Sequence, residues 1–352
     1  MKKIRVRASV EYEIMIDKGI IDRAGEYCLA AMGRPSRALI LTDDNVAPLY
    51  LDRVRSSLEG SRFEVCEFII PHGEESKSTE SLVELLELMA ESRLTRSDIL
   101  VALGGGVVGD LGGFAAAVYL RGIDFVQIPT TLLAAVDSSV GGKTAVDLKA
   151  GKNLMGAFHQ PSLVLCDPTT LCTLKKEVFA DGCAEVIKYG VINDREFFDS
   201  LKKGIDCQVE EVIAACVANK ARIVEGDEFD KGQRQLLNLG HTVGHAIELC
   251  SGLQISHGSA VAMGMVIAMR GATALGLCPE EDLSELVALL RSAGLPTECD
   301  FSAQELFTVA TSDKKRAGDS IKLVLPYGIG DSRLYEIKVS ELHSFIEKGL
   351  GV

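Results

Sequence analysis

The strongest constraint on the fold of this 352-residue chain is a change of hydrophobic period near residue 168. Upstream, short β-branched runs alternate with amphipathic runs. RALILT (37–42), FEVCEFII (63–70), DILVAL (98–103), FVQIP (125–129) and LVLCDP (163–168) read as strands. Residues 46–58 and 78–93 read as helices, the second behind a Ser/Thr cap with Glu80 nearby. Strand, helix, strand in this rhythm predicts a mostly parallel sheet with helices on both faces. Downstream, 177–203, 206–227, 235–251, 257–276, 279–293 and 302–313 read as helices, and a late apolar run, IKLVLP (321–326), as one short strand. The expected fold class is α/β plus all-α, with an α/β domain over 1–168 and a helical domain over 169–352. A cleft between such halves is the default place for a ligand. The N-terminus alternates like a strand, and residues 1–36 and 331–352 carry no informative motif.

Charge and cysteine usage exclude several classes of partner. Lys plus Arg number 37 against 50 Asp plus Glu, a net charge of −13. Phosphate backbones and anionic lipid repel such a chain, so neither nucleic acid nor a membrane is an expected partner. No run of 18 uncharged apolar residues and no apolar signal core occur, which makes the cytoplasm the expected location. The ten Cys form no CxxC pair, and Cys28, Cys166, Cys216 and Cys250 sit in apolar runs. They read as reduced thiols used as small core residues.

Three segments carry chemistry. GGGVVGD places Gly104, Gly106 and Gly109 in G-x-G-x-x-G spacing between a strand and a helix. That pattern suits a pyrophosphate at a helix N-terminus and equally suits a crowded turn. The acidic residue usual about 20 positions on is not obvious. Asp43, Asp44 and Asn45 end the first of these strands, where an acid could hold a ribose, but a loop capping the next helix is the favoured reading. Residues 121–158 hold Arg121, Asp137, Ser138, Lys143, Asp147, Lys152 and Asn153 among small and apolar residues. Cations gathered this way suit a phosphate or carboxylate. GGKT is not a Walker A ending, because position 137 is Asp. Finally, His241, His245 and His257 fall within 17 residues, and Glu185 and Lys188 lie at i, i+3 in an apolar helix. A carboxylate with two imidazoles leaves an open position on zinc. Spacing alone makes His241 and His245 the pair. Thr242 breaks the H-E-x-x-H protease pattern. Lys220, Arg222, Arg234, Asn238, Lys314 and Lys315 each read singly as solvated polar residues.

Together GGGVVGDLGGF, YLRG, PTTLLAAVDSSVGGKT, GKNLMGAF, DGCAEVIKYG, NLGHTVGHAIE, SHGSAVAMGM and DKK, in that order, resemble the 3-dehydroquinate synthases of the sugar-phosphate cyclase family. The resemblance implies a Rossmann-like NAD-binding domain followed by a helical domain that binds metal and substrate. It implies bound NAD, a divalent metal (zinc, with cobalt as the alternative), a cytosolic homodimer and a place in aromatic amino-acid biosynthesis by the shikimate route. It implies a heptulosonate phosphate as substrate, lost phosphate and a closed carbocycle as outcome. Carried over by position, metal ligands fall on Glu185, His241 and His257, which moves His245 to the substrate. NAD contacts fall on Asp43, Asn45, Glu74, Lys77, Gly105, Gly106, Val107, Asp110, Thr130, Thr131, Ser138, Lys152 and Thr173. Substrate contacts fall on Arg121, Asp137, Lys143, Asn153, Lys188, Lys220, Arg234, Asn238, His245 and Lys314, with Lys315 the other candidate in DKK. Asp147 departs from the Asn that many members carry. The rival readings are a metal-dependent alcohol or glycerol dehydrogenase, another cyclitol synthase, and a metal-stabilised scaffold without turnover.

Overall fold

The computed structural model describes residues 1–34, 36–312 and 319–351. The candidate Lys314, with Lys315, lies outside them. Strands and helices follow in the order β1 (Lys2–Arg7), β2 (Glu11–Ile16), α1 (Ala24–Met32), β3 (Arg37–Asp43), α2 (Asp52–Gly60), β4 (Glu64–Ile70), α3 (Thr79–Glu91), β5 (Ile99–Gly104), α4 (Gly106–Val118), β6 (Asp124–Pro129), β7 (Lys143–Leu148), β8 (Gly151–Phe158) and β9 (Leu163–Cys166). Then come α5 (Lys176–Asn193), α6 (Arg195–Leu201), α7 (Val209–Gly226), α8 (His241–Cys250), α9 (His257–Ala274), α10 (Glu280–Ser292), α11 (Ala303–Ser312), β10 (Ser320–Gly328), β11 (Asp331–Lys338) and α12 (Val339–Leu350).

Two compact units result: Met1–Leu174 with Glu210–Phe229, and Lys175–Val209 with Asp230–Val352. The division expected at 168 was contiguous, whereas the chain returns to the first unit through α7. Polar ties hold it there. Glu225 accepts from the Arg7 N–H at 3.0 Å, Glu228 accepts from the Ser9 N–H at 2.7 Å, and Lys220 donates to the Asp137 carbonyl at 2.8 Å.

The first unit is built on a seven-stranded sheet, β1-β2-β9-β6-β5-β3-β4, parallel except for the β1–β2 pair. Every residue of β5 is buried, as befits a strand covered on both faces. One core lies under α1 and α2, with Ile40, Val54, Leu58 and Val101. The other lies under α3 and α4, with Leu41, Leu85, Leu100 and Leu111. Strand order reverses between β3 and β5, so the carboxyl ends of these two strands flank the crevice where such sheets bind ligands.

Several elements differ from the sequence expectation. The segment 143–158 is a β-hairpin, β7–β8. β8 leaves Leu154, Met155 and Phe158 exposed, so its composition shows no inward alternation to read. The helix expected over 177–203 is broken at Asp194, whose Oδ1 caps α6 by accepting from the Phe197 N–H at 2.9 Å. The helix expected over 235–251 begins only at His241, behind a short 3-10 turn over Gln233–Asn238 and Gly240 at φ +79°. β10 pairs with β11, and α12 buries Leu342, Phe345 and Ile346 in a stretch expected to be uninformative. Among the described residues no helix is long and apolar enough to cross a membrane. All ten cysteines are free, with Cys28 and Cys183 buried and their thiols pushed up to about 12 by burial.

Candidate active site

In the second unit, close helix packing builds a three-ligand cluster. α9 packs on its neighbours through glycine: a Cβ on Gly264 would stand 2.0 Å from the carbonyl oxygen of Gly240, just before α8, and one on Gly258 would stand 2.1 Å from the Asp181 carbonyl oxygen of α5. Gly240 must also adopt its left-handed turn immediately before α8. This brings His241, at the start of α8, and His257, at the start of α9, to a ring separation of 5.3 Å. Glu185, on α5, is fully buried and lies with one carboxylate oxygen, Oε1, 3.6 Å from Nε2 of each ring. Asp181, one turn earlier on α5, caps α9 by accepting from the Ser259 N–H at 3.0 Å and pairing with the Ser256 hydroxyl.

The geometry fits a dication. Separations of 3.6 Å are long for hydrogen bonds. Two ligand atoms each ~2.1 Å from one tetrahedral ion stand ~3.4 Å apart. The three donor atoms all lie within 4.8 Å of one another. Burial and the neighbouring Lys188 lower His241 to about 3, which keeps it the neutral imidazole that metals bind. Burial opposes protonation of His257 as well, but Glu185 and Glu248 outweigh it and raise that ring to about 10. The two carboxylates therefore attract positive charge to this spot, which a divalent ion would supply in place of the proton. Lys188 is buried and ion-paired with Glu185. Arg234 is buried, while Asn238 and His245 are exposed.

In the first unit the glycine-rich turn leaves β5 and enters α4. Its glycines divide their duties. A Cβ on Gly109 would meet Gln127 Oε1 at 2.7 Å, so this glycine serves helix-on-sheet packing. Gly105 and Gly106 instead line the turn, beside Thr131 and Ser138. No side chain caps α4, and the buried Thr130 and Ser138 hydroxyl oxygens have no hydrogen-bond partner among the described residues. Orphaned hydroxyls beside an uncapped helix start fit a phosphate-bearing cofactor. Asp43, at the end of β3, accepts from the Asn45 and Val46 N–H groups at 2.9 Å each, the capping role favoured from sequence. Burial nonetheless pushes its carboxyl above the ordinary range. Thr173 meets the Tyr50 hydroxyl at 2.7 Å.

Three of the candidate cations of the first unit are ion-paired. Lys77 donates to Asp110 and to the Asn153 side-chain oxygen, each at 2.5 Å. Burial pulls the Lys77 ammonium down, but Asp110 more than reverses this, so its pKa stands above the ordinary value. Lys152 pairs with Glu74 at 3.6 Å, and Lys220 pairs with Asp137. Asp147 accepts from the Asn153 N–H at 2.7 Å across the hairpin, and Asn153, within β8, sits at φ +58°. An Asn side-chain oxygen could accept the same bond, which explains how Asp serves here. Lys143 and Arg121 are exposed, Arg121 in a left-handed turn after α4. They are therefore not the buried charges that the segment's composition suggested. Sequence reading missed Glu248 and Asp181. The signal for the first was its place seven residues after His241, on one helical face; for the second it was DG one turn before Glu185.

Comparisons with known proteins bear on both units. The family model for the 3-dehydroquinate synthase N-terminal region matches residues 67–181, and that for the C-terminal region matches 182–316. A 3-dehydroquinate synthase of Caulobacter vibrioides is 47% identical over 336 residues, 91% of each chain. One of Pelobacter propionicus is 46% identical over 341 residues, 94% of each chain. Among solved structures, a 2-deoxy-scyllo-inosose synthase complexed with carbaglucose-6-phosphate, NAD+ and Co2+ is 26% identical, with TM-score 0.87 over 99% of this chain and 100% of that one. A 2-epi-5-epi-valiolone synthase from Streptomyces hygroscopicus, with NAD+ and Zn2+ bound, is 26% identical, with TM-score 0.88 over 99% of each. A probable glycerol dehydrogenase from Sinorhizobium meliloti, 15% identical with TM-score 0.63 over 96% of each chain, shares the fold alone.

Proposed function

This chain belongs to the 3-dehydroquinate synthase family, and from that premise we propose how its residues divide the work of that reaction. The function is conversion of 3-deoxy-D-arabino-heptulosonate 7-phosphate to 3-dehydroquinate and phosphate, by transient oxidation, phosphate elimination, re-reduction and intramolecular aldol closure, within the shikimate pathway. The observation that carries the assignment is the convergence of Glu185, His241 and His257, with 3.6 Å from one carboxylate oxygen to each ring nitrogen.

When bound, NAD supplies a reversible acceptor for the substrate's hydride and a divalent ion, zinc or cobalt, supplies a Lewis acid for its oxygens. Glu185, His241 and His257 would hold that ion. Gly105, Gly106 and Val107, with Thr130, Thr131 and Ser138, would present backbone N–H groups and hydroxyls to the dinucleotide phosphates. Asp43, Asn45, Glu74, Lys77, Asp110, Lys152 and Thr173 would complete that cofactor's contacts. Lys188, buried against Glu185, would orient a reacting hydroxyl within the second unit, where Arg234 and Asn238 would hold further substrate oxygens. His245 would hold phosphate oxygens. In the first unit Lys143, Asn153 and Arg121 would bind anionic groups, and the Lys220–Asp137 pair would orient a hydroxyl. Phosphate leaves carrying the electron pair of its C–O bond, and one of its own oxygens takes the proton from the adjacent carbon, so no protein base is consumed. Lys314 is the proposed cation of DKK.

The test is incubation of metal-loaded protein with the heptulosonate phosphate and catalytic NAD. Stoichiometric phosphate and ring product without net NADH are expected. Net NADH without phosphate would instead make it a dehydrogenase. His257→Ala should remain folded and lose metal-dependent turnover; normal turnover without added metal would reject the ligand set. We also propose a cytosolic homodimer, which a single-chain mass in sedimentation equilibrium would exclude.

A further inference from the structure

We propose that Glu248 is a positioning residue for the metal ligand His257: it selects which imidazole nitrogen is offered to the ion and adds a second buried negative charge beside it. The proposal rests on the metal assignment above and deepens it. Glu248 is 4% exposed, on α8, seven residues and two turns after His241. Its Oε2 stands 3.3 Å from His257 Nδ1, while Nε2 of the same ring faces Glu185. A neutral imidazole carries its proton on one nitrogen only. A carboxylate is an acceptor, so Glu248 keeps that proton on Nδ1 and leaves the Nε2 lone pair directed at Glu185, where the ion would sit. His241 is set by a parallel device, its Nδ1 lying 3.0 Å from the Leu239 carbonyl oxygen. The two ligands thus present the same nitrogen to the same point, one fixed by a neutral carbonyl and the other by a charge. A charged partner makes the imidazole the more basic ligand, and loss of such partners typically weakens metal binding 10–100-fold. His245, Glu248 and His257 could also be read as a second ligand group, since their donor atoms lie within 4.8 Å of one another. That group would need Nδ1 of His257 deprotonated while Nε2 serves Glu185's ion, which a neutral ring cannot do.

Metal-free wild type, Glu248→Gln and Glu248→Leu are titrated with Co2+ against a chromophoric chelator, and the visible d–d spectrum of each complex is recorded. Glu248→Gln keeps an acceptor for Nδ1–H and loses the charge, so its affinity should fall about tenfold. Glu248→Leu loses both, so its affinity should fall towards about 100-fold, with an altered Co2+ spectrum. Metal-free thermal unfolding separates this effect from loss of fold, and Glu248→Gln alone suffices should the Leu variant not fold. Wild-type affinity and spectrum in Glu248→Gln would overturn the proposal. Two Co2+ per wild-type chain and one per Glu248→Gln chain would overturn it too, making Glu248 a ligand. Wild type that binds no divalent ion would instead sink the metal assignment, a separately visible failure.

Discussion

Substitution of Gly264 by Ala probes the packing that brings together the proposed metal ligands. Gly264 lies within α9, and an added Cβ would meet the Gly240 carbonyl oxygen at 2.0 Å, the Gly240 carbonyl carbon at 2.9 Å and the Gly244 N at 2.9 Å. These are backbone atoms, so no side chain can swing aside. Restoring an ordinary contact of ~3.4 Å to the Gly240 carbonyl oxygen requires the two backbones to part by about 1.4 Å. Such overpacking costs about 1–3 kcal/mol, and the better helix propensity of Ala returns at most ~1 kcal/mol. The net loss of up to about 2 kcal/mol, at roughly 2–4 °C per kcal/mol for a unit of this size, should lower Tm by up to about 8 °C. Metal affinity should suffer more than stability. His241 follows Gly240 directly, and ligand distances tolerate only about ±0.2 Å. The assays are thermal unfolding of metal-free protein and Co2+ titration against a chelator. A Gly264→Ala protein with wild-type Tm and wild-type metal affinity would refute the claim that glycine contact between α8 and α9 sets the ligand geometry.

Other perturbations test the first unit. Lys143→Ala should lower kcat/KM at least about tenfold as an anion contact is lost, with unchanged Tm because the side chain is exposed; kinetics equal to wild type would remove it from the site. Asp110→Asn strips the charge partner from buried Lys77 and should cost about 3 kcal/mol or more in urea unfolding, since it leaves a buried ammonium uncompensated; a shift under 1 kcal/mol would count against the pair. Arg53 grips Asp22 with two bonds of 2.7 and 2.8 Å, and this contact holds the Asp22 carboxyl below its ordinary value. The small stabilisation is complete above the unfolded pKa of ~3.9 and lost as pH falls through the lower folded value. Stability measured from pH 6 to pH 2.5 should therefore fall less steeply in Arg53→Met than in wild type, and parallel curves would disprove the linkage.

Sequence alone determined the local periods and the chemistry available. Five β-branched runs became β3, β4, β5, β6 and β9; the four buried ones, β3, β5, β6 and β9, are written as continuous apolar text, whereas β4 is the partly exposed edge strand. The i, i+4 placement of His241 and His245 on one helix was legible for the same local reason. Which two of the three histidines face Glu185 was not. Spacing favoured His241 with His245, whereas tertiary structure sets His241 and His257 each 3.6 Å from Glu185 and leaves His245 exposed. That choice depends on how closely two helices approach, and the approach is set by glycines whose lack of a side chain carries no periodic signal. The hairpin β7–β8 was equally illegible, because β8 leaves Leu154, Met155 and Phe158 exposed and so shows no inward alternation, and Asp147 N–H ties it to the distant Lys77 carbonyl at 2.8 Å. The return of α7 to the first unit is likewise held by polar ties to residues far away in the chain. Local sequence fixes what each segment wants to be; the meeting of distant backbones decides which side chains can act together.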